Sequence, residues 1–164
     1  MLTLARSLRE IRFSELMEVY SETNEKEAKK RFGNPEGFGL QQAEQDFHAY
    51  LRQVFFRTEG AVYALWSESG RYVSALRLEP YRDGFLVSGL ESHPGFRGRG
   101  YARDLLTQVQ AAFPKGTRLY SHVAKGNIPS TKVHERSGFF CISDRAIYLD
   151  GSVDSKCNTF FFEV

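Results

Sequence analysis

Long apolar runs are missing from this chain: no stretch approaches the roughly 20 residues that a membrane-crossing helix requires. The opening Met1-Leu2-Thr3-Leu4-Ala5-Arg6 lacks the basic head and apolar run of an export signal. The expectation is a cytoplasmic protein with no membrane contact. Cysteine is scarce, with only Cys141 and Cys157, and neither sits in a C-x-x-C or Cys/His metal spacing. If the last two strand-like runs pair about Asp150-Gly151, these thiols lie several rungs apart, beyond the Cα separation of about 7 Å that a disulfide spans. Two reduced cysteines are therefore expected. His48 and His122 have no carboxylate or second histidine at ligand spacing, so no metal is expected either. An excess of one charge is also lacking. Lys and Arg number 22 against 20 Asp and Glu, a net +2 that gives no general attraction to nucleic acid or membrane.

Repeats, low-complexity tracts and interdomain linkers are absent, and residues 1–164 read as one domain. What is plentiful is aromatic surface, with 14 Phe and 8 Tyr. A chain of this size buries roughly 70% of its unfolded surface, enough for a packed core without staples. Thr3–Ser7 reads as a short strand. Phe13, Leu16, Met17 and Tyr20 recur at helical spacing and predict a helix over 13–32, whose charged tail Asn24–Lys30 reads as a solvated face. After the breaker Gly33–Gly37, Ala43, Phe47, Tyr50, Leu51 and Phe55 predict a second helix over 40–56. Ala61–Trp66, Tyr72–Leu78 and Phe85–Glu91 read as three antiparallel strands, turning at Ser69-Gly70 and Arg82-Asp83-Gly84. Leu105, Leu106, Val109 and Phe113 mark a helix ended by Pro114 and Gly116, and Arg118–Val123 is a strand. Asn127 caps a short helix with Pro129 in its first turn and Gly138 at its end. Residues 139–149 and 157–164 close the chain as a hairpin. The order is β-α-α-β-β-β-α-β-α-β-β.

One stretch stands apart. Gly95-Phe96-Arg97-Gly98-Arg99-Gly100-Tyr101-Ala102-Arg103 holds three glycines and three arginines between a strand and a helix. Such a junction aims unpaired N–H groups and the positive end of the helix dipole at one spot, which suits a phosphate. Gly98 and Gly100 remove Cβ atoms that would block the backbone, and Ala102 keeps the first turn accessible. No Gly-Lys-Ser/Thr is present, which excludes a P-loop. Arg103 stands where a dinucleotide fingerprint needs its third glycine, which excludes that motif too. The Arg-Gly units neither repeat nor gather with aromatics as nucleic-acid patches do.

Ser92–Ala102 resembles the acetyl-CoA signature of the GCN5-related N-acetyltransferases, [RQ]-x-x-G-x-[GA], matched by Arg97, Gly100 and Ala102. Asn127–Phe139 is similar to the same family's second signature, N-x-x-[AS]-x-x-x-Y-x-x-x-G-F, with His134 where tyrosine is usual. The resemblance extends over the order of elements across residues 1–164. It implies an α/β (α+β) fold: a mixed, mostly antiparallel sheet of six to seven strands flanked by about four helices.

The activity it implies is acetyl-CoA-dependent N-acetyl transfer to a primary amine by direct attack in a ternary complex. Acetyl-CoA is then a cosubstrate, lying where the fourth and fifth strands diverge, with Arg97, Gly98, Arg99, Gly100, Tyr101 and Ala102 around its pyrophosphate. Ser92 and His93 would meet the pantetheine through the backbone, and the Ser92 N–H would polarise the thioester carbonyl. Asn127, Ser130 and His134 fall at i, i+3 and i+7, on one helix face that can line the pantetheine channel. His134 is the candidate general acid; the plain alternative is a solvated surface residue. Glu91 is the candidate general base, against an outward-facing strand carboxylate, and His93 is either a turn residue or that base. The acceptor, small molecule or protein, is not legible, because the segments that set it, 13–56 and 140–164, carry aromatics that serve equally well as core. A CoA-binding sensor or interaction module with little turnover is the alternative function. An exposed final strand would also allow a homodimer.

Overall fold

Ala61–Leu65 is buried at every position, and the sheet accounts for it: both faces of these strands are covered. The computed structural model describes Met1–Val164. Its strands are β1 (Leu2–Ala5), β2 (Val62–Glu68), β3 (Arg71–Tyr81), β4 (Gly84–Ser92), β5 (Arg118–Ala124), β6 (Phe140–Ser143), β7 (Ala146–Ile147), β8 (Val153–Asp154) and β9 (Cys157–Glu163). The helices are α1 (Phe13–Val19), α2 (Ser21–Phe32), α3 (Gly37–Gln53), α4 (Tyr101–Ala112) and α5 (Ile128–Arg136). Seven strands form one sheet in the order β1-β2-β3-β4-β5-β9-β6, antiparallel except for the β4–β5 pair, and β7–β8 make a small separate hairpin. No helix is long and apolar enough to cross a membrane.

Strand alternation divides the core. Tyr63, Leu65 and Ala75 point to one face and pack with Leu16, Val19, Leu51 and Phe55 from α1, α3 and the turn after α3. Val62, Ala64, Leu76, Leu78 and Val87 point to the other and pack with Leu105, Leu106 and Val109 of α4.

Three expectations change. The helix expected over 13–32 is two helices, parted at Tyr20, whose backbone leaves the helical region (ψ 14°) while its hydroxyl donates to Gly89 O at 2.5 Å. The break lets α2 set off in a new direction while Tyr20 stays anchored to the sheet. This division gives five helices in place of about four. The final strand is not a free edge, because β9 lies between β5 and β6, pairing Ser121 with Phe160 on one side and Cys141 with Phe160 on the other. The edge is β6, with Phe140 and Ile142 exposed.

The feature that positions the site is a mismatch. Ala75 pairs with Glu91 but Arg77 pairs with Ser88, so β4 carries one extra residue in a bulge that includes Gly89 at φ 58°. On its other side β4 pairs with β5 only from Phe85 to Val87. Beyond that point the parallel strands part, and the bulge bends β4 out of the gap. The closed end is clamped by the Asp83 carboxylate, which accepts hydrogen bonds from Tyr120 Oη (2.7 Å) and from Arg118. Gly84 starts β4 against the Arg118 carbonyl, and a Cβ there would overlap that carbonyl oxygen. Gly84→Ala therefore forces two backbones apart at the closed end, and urea denaturation should show a loss of about 2–3 kcal/mol.

Candidate active site

The parted strands leave a cleft of about 780 Å³ between β4, α2, α4 and α5. Its wall on β4 follows from strand alternation. His93 N–H donates to Val73 O (2.9 Å) and Glu91 O accepts from Ser74 Oγ (2.7 Å), so these groups face β3. The alternate Leu90 and Ser92 main chains face the opposite edge, over the cleft, with no strand to pair with.

The floor is the start of α4. Gly100 caps this helix in the left-handed region (φ 87°), and Gly98 is also left-handed (φ 76°) with open space where a Cβ would stand. The first helical bond runs from Asp104 N–H to Gly100 O at 3.0 Å, so the N–H groups of Tyr101, Ala102 and Arg103 precede it and are free to bind an anion. Arg97 and Arg103 line the cleft with Lys26 and Arg136, which supply positive charge around those donors. Arg97 also donates to Glu22 Oε2 at 2.7 Å, tying the loop to α2. No Cβ blocks this cradle, and its donors and charges fit a pyrophosphate.

Nine of the expected residues come together in the cleft lining: Glu91, Ser92, Arg97, Gly98, Gly100, Tyr101, Ala102, Asn127 and Ser130. Asn127 also caps α5, its Oδ1 accepting from Ser130 N–H at 3.1 Å. The Glu91 carboxylate accepts from Thr23 Oγ1 at 2.5 Å, and burial holds its pKa above the ordinary 4.5, although Thr23 pulls the other way.

Three residues lie elsewhere. His93 turns back on its own loop, where Nδ1 accepts from Gly95 N–H (3.0 Å), Nε2 lies 3.7 Å from Glu18 Oε2, and the ring packs on Phe96. This is the turn role. Arg99 stacks over the Phe96 ring at 5.2 Å, outside the lining.

His134 departs furthest from expectation: it is neither on the cleft wall nor solvated. It is 1% exposed and packed between Phe139 and Phe160. Its Nδ1 is 2.8 Å from Ser130 O. A carbonyl only accepts, so that nitrogen is assigned the proton and Nε2 is left as a buried acceptor with no partner. Burial lowers the imidazole pKa below 6.5, with the Ser130 carbonyl opposing, so the ring is neutral at pH 7. A neutral ring in this tautomer has no proton to offer at Nε2. Val133 and Arg136 take the cleft-facing places on α5.

Missed in the sequence were Arg136 at the end of α5 and, on α2, Glu22, Thr23 and Lys26. The α2 residues lie in or beside the charged tail read as a solvated face, and the only signal was their i, i+1, i+4 spacing, which no apolar stripe accompanies. No group of three or more His, Cys, Asp or Glu side chains is gathered as a metal site.

Residues 7–139 match the model of the acetyltransferase (GNAT) family. The chain belongs to this family. No curated protein matches it by sequence. Among solved structures, it is similar to a GNAT-family acetyltransferase of Bacillus cereus, with 18% identity, 99% of this chain and 97% of the other covered, and a TM-score of 0.64. The Campylobacter jejuni N-acetyltransferase PseH, in complex with acetyl coenzyme A, gives 14% identity, 99% coverage of both chains and a TM-score of 0.64. The PaiA N-acetyltransferase of Thermoplasma acidophilum, in complex with coenzyme A, gives 8%, 100% and 99% coverage, and 0.62. At these identities the likeness is one of fold, and it places the GNAT sheet and helices along the whole chain.

The buried imidazole has a measurable consequence. Its folded pKa lies below 6.5, so as pH falls the unfolded chain binds the proton first and stability drops below about pH 6.5. His122, also lowered by burial and then by Arg82, adds a slope of the same sign. His134→Leu should flatten, without abolishing, the fall of the urea midpoint between about pH 7 and 5; an unchanged slope would place the ring in solvent.

Proposed function

We propose that residues 1–164 act as one cytoplasmic acetyltransferase domain that moves an acetyl group from acetyl-CoA to a primary amine by direct attack in a ternary complex. The observation that carries this reading is the set of free main-chain donors at the start of α4, facing a β4 edge that has lost its neighbour. Exposed Cys141 and half-buried Cys157 are both free thiols, which is compatible with a reducing compartment. Two copies would pair through β6.

Acetyl-CoA supplies an activated acyl thioester. The N–H groups of Gly98 to Arg103 would hold its pyrophosphate, with Arg97, Arg103, Lys26 and Arg136 balancing the charge. Leu90 and Ser92 would take the pantetheine as an added strand, and the Ser92 N–H would stabilise oxygen charge as the amine attacks. Glu91 stands in the cleft as the base for the ammonium proton, directly or through one water, and its raised pKa brings it closer to that task. A thiol pKa near 8.5 makes the departing thiolate stable enough to leave without a dedicated acid. We therefore give His134 a packing role. The same burial favours a second reading, a CoA-binding module with little turnover.

Free-thiol release against an amine panel, with mass spectrometry of products, separates the two. Glu91→Gln should lower kcat/KM about 100-fold and remove the acid limb of its pH profile, which lies above the usual carboxylate range. Gly98→Val, bringing a branched side chain to a positive φ inside the cradle, should weaken acetyl-CoA binding about tenfold or more by calorimetry. Unchanged affinity would move the pyrophosphate elsewhere.

A further inference from the structure

Of all the arginines, Arg77 alone is not exposed, and it makes no ion pair. It stands on β3 opposite Tyr63 of β2 and Ser88 of β4, on the sheet face covered by α1 and α3. Its guanidinium lies over the rings of Phe47 (5.7 Å) and Tyr50 (5.5 Å). It reaches under the β4 bulge, where only a glycine fits without crowding it: a Cβ on Gly89 would come within 3.1 Å of Nη2. Nε is buried and no protein group accepts its proton.

The neighbouring polar groups do not answer it. The Glu79 charge acts on Arg77 but makes no bond to it, its oxygens accepting from Tyr50 Oη (3.1 Å) and Ser88 Oγ (3.2 Å), and Tyr20 Oη donates to Gly89 O. The Tyr63 hydroxyl, fully buried, has only the Tyr20 hydroxyl to turn to. Arg77 Nε thus keeps an unsatisfied donor beneath the bulge. A guanidinium without an acceptor is costly in such a place, and a carboxylate is the group whose geometry matches it best.

Its position relative to Glu91 gives the missing partner an identity. Glu91 pairs with Ala75, two places along β3 from Arg77, which is about 7 Å of strand on the same face. We infer that Arg77 is a carboxylate anchor for the acceptor, and that the acceptor is a small amino acid whose primary amine is presented to Glu91 while its carboxylate is held by Arg77. This inference rests on the acetyl-transfer reading.

The test compares ω-amino acids of increasing length (4-aminobutyrate, 5-aminovalerate, lysine) with alkylamines and ω-amino amides of the same length, by thiol release. At least one amino acid should show a KM tenfold or more below its amine and amide counterparts. Arg77→Gln should erase that preference with acetyl-CoA affinity unchanged, and Arg77→Lys should restore part of it. Independently of turnover, the ¹⁵N resonance of Arg77 Nε should shift on titration with 5-aminovalerate and not with pentylamine. Transfer with no carboxylate preference, or a resonance that ignores the carboxylate, overturns the anchor and leaves acetyl transfer standing. A carboxylate-specific shift with no thiol release from any amine overturns acetyl transfer and leaves the anchor.

Discussion

One extra residue in β4 governs most of what this molecule can do. Where Ala75 faces Glu91 and Arg77 faces Ser88, three steps on β4 answer two on β3, and the strand bends away from β5. Without that bend, the parallel pair started at Phe85–Val87 would continue, and the Leu90 and Ser92 main chains would be spent on ladder bonds. With it, they face an open cleft. The bulge also frees the Gly89 carbonyl to accept from Tyr20, and this bond anchors the point where α1 ends and α2 turns toward the cleft. Arg77 fits beneath because position 89 has no side chain. Cleft, helix break and half-buried cation share a single cause.

The α4 end of the cleft answers a different constraint. A helix start exposes N–H groups whatever its sequence, but an anion can reach them only if the preceding loop stays close to the axis and carries no bulk. Gly98 and Gly100, both left-handed, meet that need. The arginines of the loop then divide. Arg97 and Arg103 remain in the lining, each steadied by a carboxylate, Glu22 or Asp104, whereas Arg99 folds onto Phe96. Binding would draw on a few directed backbone donors, with cations that raise the local potential without fixing geometry.

Much of this was legible from composition and period. The strand-forming run Tyr72–Leu78, the turns at Ser69-Gly70 and Arg82-Asp83, and the Gly138 cap all follow from local preferences that tertiary packing reinforces. The break at Tyr20 was not, because its cause is a carbonyl 69 residues away. Nor was the insertion of β9 between β5 and β6, since a hairpin-like pair of runs says nothing about which strand takes the sheet edge. The face of α5 was half legible. Spacing set Asn127, Ser130 and His134 on one side, yet the helix lies with that side shared between cleft and core. The histidine ring folds back toward Ser130 and the interior, and Val133 and Arg136 supply the outer edge.

Withdrawing His134 leaves a cleft whose titratable groups are mostly cations, with Glu22 and Glu91 its two carboxylates, and this bears on how the proposed chemistry would be divided. A thiolate is a far better leaving group than an amine, so the demanding step is making a neutral amine and holding it against the thioester. In the proposed transfer both needs fall to the β4 side. Glu91 would be the base, raised by its own burial, since the other carboxylate of the lining, Glu22, is paired with Arg97, and the Ser92 N–H would meet the growing oxygen charge. An acceptor held only by its nitrogen would pivot about Glu91. A second contact, on the same sheet face and two residues along, would fix its direction, and half-buried Arg77, whose Nε has no acceptor, is the group in that position.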